Sequence, residues 1–139
     1  MKLKLLLVFS IITVYCNAQI AGTIDTNFGA FGTASFTGQS DLFPYNINYE
    51  TYTGEIAAVG QYTNAGGITV GFIARFDFYG NPKTGFGNNG VLEISDLSTT
   101  SQSLYDGVFV SPGSSALIVK GSYRDASNTF VPFFRKYHA

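Results

Sequence analysis

Five residues near the start of this chain return later in the same order. Phe28-Gly29-Ala30-Phe31-Gly32 recurs as Phe86-Gly87-Asn88-Asn89-Gly90, 58 positions further on. Two more blocks follow suit: "EIAAVGQY" (55–62) returns as "ALIVKGSY" (116–123), and "FIARFD" (72–77) as "FFRKYH" (133–138), both displaced by 61. Ile56, Gly60 and Tyr62 thereby match Leu117, Gly121 and Tyr123. The step from 58 to 61 places a three-residue insertion in the second copy, within "SDLSTTSQS" (95–103). Three blocks recurring in one order constrain the fold more than any composition does, because like segments fold into like units that pack on one another.

Each unit reads as about four short strands. In the first these are "GTASF", "YNINYETY", "EIAAVGQY" and "VGFIARFDF". Ile56 with Ala58, and Leu117 with Val119, alternate with more variable neighbours, which predicts strands with one better-buried face. "NAGG" (64–67) and "DASN" (125–128) are predicted hairpin loops between the last two strands of each unit. "TYTGE" and "SPGS" supply the preceding turns. No stretch after the leader carries a capped i, i+3, i+4 apolar pattern, so the predicted fold is all-β. The Phe-Gly-x-x-Gly segments are read as structural corners between units. Gly29, Gly32, Gly87 and Gly90 permit left-handed backbone, and Phe28 and Phe86 plug the gap between neighbouring sheets. A phosphate-cradling role for these glycines is the rival reading, and no helix start follows to supply the dipole it needs.

The chain opens "MKLKLLLVFSIITVYCNAQ". Lys2 and Lys4 precede an apolar run from Leu5 to Val14, too short to span a bilayer, and "CNA" sets small residues before a cut at Gln19. This is read as a signal peptide over 1–18, with a secreted or cell-surface destination and no transmembrane segment in the mature chain. The rival is lipidation of Cys16, against which Tyr15 stands where a lipobox has a small residue. Beyond the leader no cysteine remains, and six basic residues face nine acidic ones. No basic cluster is dense enough to follow a phosphate backbone, which argues against nucleic acid as a partner.

Little chemistry is legible. The single histidine, His138, lies next to the C-terminus, and the carboxylates show no telling spacing. Asp25 and Asp77 fall at corners, where a side-chain cap on the turn is the default role. Asp125-Ala126-Ser127-Asn128 lacks the density of a calcium loop. No catalytic, metal or cofactor residue is assigned. Tyr45, Tyr49, Tyr52, Tyr62 and Tyr79 could stack on a glycan or peptide, or fill the core of a chain without tryptophan.

"IDTNFGAFG" (24–32), "SPGSSALIVKGSY" (111–123) and "GFIARFDFYGN" (71–81) together resemble the delta-60 repeat family of exported bacterial proteins, over nearly all of the chain after the leader. Pro82-Lys83-Thr84 and "TYTGEI" depart from the family pattern at two turns. The resemblance implies a β-propeller-like architecture: two four-stranded blades of an incomplete propeller, the first over 19–80 and the second over 81–139. It implies no shared catalytic residues. By analogy with Asp77, His138 stands where a third unit would begin. The expected function is a non-enzymatic scaffold or binding surface at the cell envelope, as part of a longer repeat protein or a short chain that assembles. The expected partners are further β repeats of the same or another chain. A face-to-face sandwich of the two sheets, or a secreted hydrolase or lyase whose catalytic residues lie outside this chain, are the alternatives.

Overall fold

A computed structural model describes residues 22–35, 40–97, 101–110, 113–114 and 116–138. The leader, residues 98–100 of the 95–103 segment expected to hold the insertion, and part of the 111–114 turn lie outside them. Seven strands form in order: β1 (Ser40–Tyr49), β2 (Ile56–Thr63), β3 (Thr69–Phe76), β4 (Val91–Ile94), β5 (Gln102–Phe109), β6 (Leu117–Arg124) and β7 (Phe130–Tyr137). There is no helix among the described residues. The first four strands make one antiparallel sheet in sequence order, the last three make another, and neither closes into a barrel.

The expectation of two four-stranded units is thus corrected to four strands and three. The reason is an offset. "GVLEI", which follows the second corner, does not open the second sheet. Its residues Val91–Ile94 turn back to pair with β3, with Ala74 opposite Val91 and Gly71 opposite Ile94. The first sheet therefore takes its outermost strand from the segment after the corner, whereas among the described residues β7 ends the second sheet.

Recurrence extends to the backbone geometry. Ile56 pairs with Phe76, and Leu117 with Tyr137. β1 pairs with β2, and β5 with β6, through bulges at matching places, between Pro44 and Asn46 and between Leu104 and Asp106. A bulge adds one residue and bends the strand, so its repetition marks β1 and β5 as like elements. Both predicted hairpin loops are present and identical in bonding. Asn64 Oδ1 accepts the N–H groups of Gly66 and Ile68, and Asp125 Oδ1 accepts those of Ser127 and Thr129.

The sheets stack in the same sense. One face of the first sheet, carrying Ala57, Val59 and Ile73, packs on Leu117, Val119, Phe133 and Tyr137 of the second. These four residues are the counterparts of Ile56, Ala58, Phe72 and Phe76, which lie on the opposite face of the first sheet. The trailing face of one sheet thus covers the leading face of the next; the two do not meet like face to like face. On the leading face of the first sheet, Ala34, Leu42, Ile68 and Val91 pack against the cluster formed by Ala58, Val70, Phe72 and Ala74. A second difference from expectation is that β2 is buried on both faces rather than one: the second sheet covers its trailing face, and Ala34, Leu42, Ile68 and Val91 pack around its leading one.

Candidate interaction surfaces

The two corners have one backbone conformation. φ is +56° at Gly29 and +54° at Gly87, +54° at Phe31 and +49° at Asn89, and +85° at Gly32 and +91° at Gly90. Their hydrogen bonds match as well: Ala30 exchanges bonds with Thr33 as Asn88 does with Val91, and Phe28 N–H donates to Asp25 as Phe86 N–H does to Lys83. Their surroundings differ. Phe86 is buried in the cluster between the sheets. Phe28 is half-buried against Gly80, with no further sheet on its outer side among the described residues.

At the junction between the sheets, Phe86 is joined by a charged group that the sequence did not single out. Arg75 lies on β3 on the same face as Ile73 and is 1% exposed. Its guanidinium sits between two aromatic rings, 5.0 Å from the centroid of Phe86 and 5.7 Å from that of Phe109. Glu55, also buried, contacts Arg75 Nη2 and accepts from Lys83 Nζ at 2.8 Å. Arg75 Nε and Nη1 have no hydrogen-bond partner. Such a cluster is weak evidence for stability; its ion pairs lie within the first sheet and its corner, and the second sheet adds only the Phe109 ring. The signal available in sequence was an arginine at an apolar alternation position.

A second lock joins the loops at the end of β1 and β5. Glu50 Oε2 accepts the hydroxyl of Thr53 at 2.6 Å and also its N–H, and Oε1 accepts N–H groups from Tyr52 and, across the junction, Gly113 at 3.3 Å. The Thr53 hydroxyl, followed by the three N–H groups, outweighs the opposing effect of burial and brings the Glu50 pKa down to about 2. At the same end of the first sheet, after β3, burial disfavours ionised Asp77. The Asn81 side chain and the N–H groups of Asn81 and Tyr79 outweigh that and hold its pKa below the usual carboxylate value. Both carboxylates cap turns, the role expected of Asp77. Asp25 caps its own turn by accepting the N–H of Asn27.

The second sheet has one bare face. It carries Val108, Ile118 and Phe134, with Pro132, Lys120 and Lys136 around them. Phe134 is 74% exposed and Val108 57%. In the first sheet the matching positions are Asn48, Ala57 and Ile73, and there Ala57 and Ile73 are covered by the second sheet. Among the described residues no strand pairs with the outer edge of β7. On β3, Arg75 directs its N–H to Gly90 and its carbonyl to Lys83, away from β2. By the same register Pro132, Phe134 and Lys136 face the open side of β7, so one N–H is missing from that edge. Proline is tolerated at such a position, where it blunts the edge without closing it.

Three comparisons have one outcome. No protein-family model, no curated protein and no solved structure matches the chain.

A cleft of about 450 Å³ lies at the first corner, lined by Asp25, Asn27, Phe28, Tyr49, Ile56, Phe78 and Tyr79. Tyr45 and Ile47 continue its aromatic and apolar character along β1, and both are exposed. Of the tyrosines considered for ligand stacking, Tyr62 is buried and bonds Glu93, whereas Tyr45, Tyr49, Tyr52 and Tyr79 are exposed. Among the described residues no three His, Cys, Asp or Glu side chains converge on one point, and no helix is long and apolar enough to cross a membrane. His138 is exposed.

Proposed function

We propose that this chain is an exported, non-enzymatic β-repeat module, a scaffold at the bacterial cell envelope whose working surface is the bare trailing face of its second sheet. One observation carries the reading. The face bearing Ala57 and Ile73 in the first sheet is covered by a following sheet, and the face bearing Ile118 and Phe134 at the same register positions is not. An apolar face that repeats a buried one is an interface awaiting its other half. The units are read as delta-60-type repeats, two consecutive blades of an incomplete propeller, supported by the recurrence of corner, bulge and hairpin geometry. Export rests on the leader and its cut before Gln19.

The partner is a further sheet of this kind, from the same or another chain. Two measurements test the proposal. Intact-mass analysis of material from the periplasm or medium of a host expressing the full chain gives a species starting at Gln19; retention in the cytoplasm with residues 1–18 attached refutes export. In sedimentation velocity the secreted chain associates with rising concentration, and Phe134→Glu abolishes this by placing a charge at the centre of the face. A chain that stays monomeric at high micromolar concentration refutes the assembly role.

A further inference from the structure

The corner cleft and the last strand carry complementary parts of one junction. Between the two sheets, a cation of the preceding sheet, Arg75, enters between the corner phenylalanine, Phe86, and the aromatic at the end of β5, Phe109, beside Leu117. At the first corner the corresponding residues are Phe28, Tyr49 and Ile56. These three line the cleft, and no cation from a preceding sheet occupies it. The register position of Arg75 is filled on β7 by Lys136, since Arg75 pairs with Ala57 as Lys136 pairs with Ile118. Lys136 is exposed and makes no ion pair among the described residues.

The charges change sides in a compensating way. At the internal junction the preceding sheet supplies both Arg75 and its acid, Glu55, and the corner adds Lys83. On the second sheet the place of Glu55 is taken by Ala116, so Lys136 has no acid of its own. At the first corner the place of Lys83 is taken by Asp25, an acid lining the cleft. A Lys136 entering that cleft would find two aromatic walls and the carboxylate that its own sheet lacks.

Resting on the reading of the trailing face as an assembly surface, we propose that chains associate head to tail. Lys136 of one copy enters the corner cleft of the next, between Phe28 and Tyr49, and pairs with Asp25. The contact is heterologous, each copy offering a β7 face at one end and a cleft at the other, so it propagates along a row of copies.

Charge reversal tests this directly, using the secreted chain in sedimentation velocity. Lys136→Glu and Asp25→Lys each weaken self-association about tenfold or more, and mixing the two single variants, or combining both changes in one chain, restores it. Both residues are exposed, so the variants fold, which circular dichroism checks. Association abolished by Phe134→Glu but indifferent to both reversals would overturn the cleft pairing and leave the assembly role standing. Reversals that weaken association without mutual rescue would also overturn the pairing. A monomer at every concentration would overturn both.

Discussion

Replacing Gly87 by alanine tests whether the corner geometry is required. Gly87 sits at φ +54°, and a Cβ there would lie 2.2 Å from the carbonyl oxygen of Val91 and 2.8 Å from the nitrogen of Leu92. Both are backbone atoms at the start of β4, so no side chain can swing aside. The left-handed conformation alone costs an alanine about 1–2 kcal/mol. Displacing the Val91 carbonyl also disturbs its 2.7 Å bond from Asn88 N–H, worth about 0.5–1.5 kcal/mol. Together these give a loss of about 2–3 kcal/mol. Gly85→Ala, two residues earlier, is the control: its Cβ would meet nothing within 4 Å, and its φ is not left-handed. Urea unfolding followed by far-ultraviolet circular dichroism reads both variants, with stability taken from the midpoint and slope. Gly87→Ala moves the midpoint well below wild type, and Gly85→Ala leaves it within about 0.5 kcal/mol. Equal midpoints for the two variants would refute the argument that this corner demands glycine.

Glu55→Ala strands the buried Arg75 guanidinium and destabilises the chain by about 3–5 kcal/mol in the same assay. Arg75→Met costs much less, because Lys83 still neutralises Glu55 and methionine packs between Phe86 and Phe109; equal losses for the two would contradict the assignment of roles. Glu50, with a pKa of about 2 against an ordinary 4.5, contributes stability that is complete above pH 4.5 and disappears as pH falls toward 2. Glu50→Gln therefore flattens the acid limb of a stability-versus-pH profile, and an unchanged limb would count against the loop lock. Asp77→Ala removes the acceptor for the Tyr79 and Asn81 N–H groups and lowers stability by about 1–2 kcal/mol at neutral pH. That difference from wild type narrows on acidification, since the lowered pKa of Asp77 means its contribution fades as the carboxylate protonates.

The hairpins at Asn64 and Asp125 were legible because turn chemistry is local: a side-chain oxygen two and four residues from the N–H groups it accepts is written in adjacent letters. The matching corners were legible for the same reason, since only glycine tolerates what Gly29 and Gly87 must do. The strand offset was not. Val91–Ile94 has the same residue pattern whichever sheet it joins, and its partner is fixed by a return across Pro82–Gly90 that no periodicity encodes. Alternation in β2 was read as one buried face because a single strand cannot announce what will pack on its other side. The open cleft became visible only through its filled counterpart, where Arg75 stands between Phe86 and Phe109.

Same-sense stacking is the claim on which the bare face, the cleft and the proposed assembly all depend. Methyl and aromatic nuclear Overhauser effects on a dilute labelled sample measure it. The account predicts contacts from Val59 and Ile73 to Leu117, Val119 and Phe133, with none from the first sheet to Ile118 or Phe134. Contacts joining Ile73 to Ile118 or Phe134 would mean that the sheets meet like face to like face, and would contradict it.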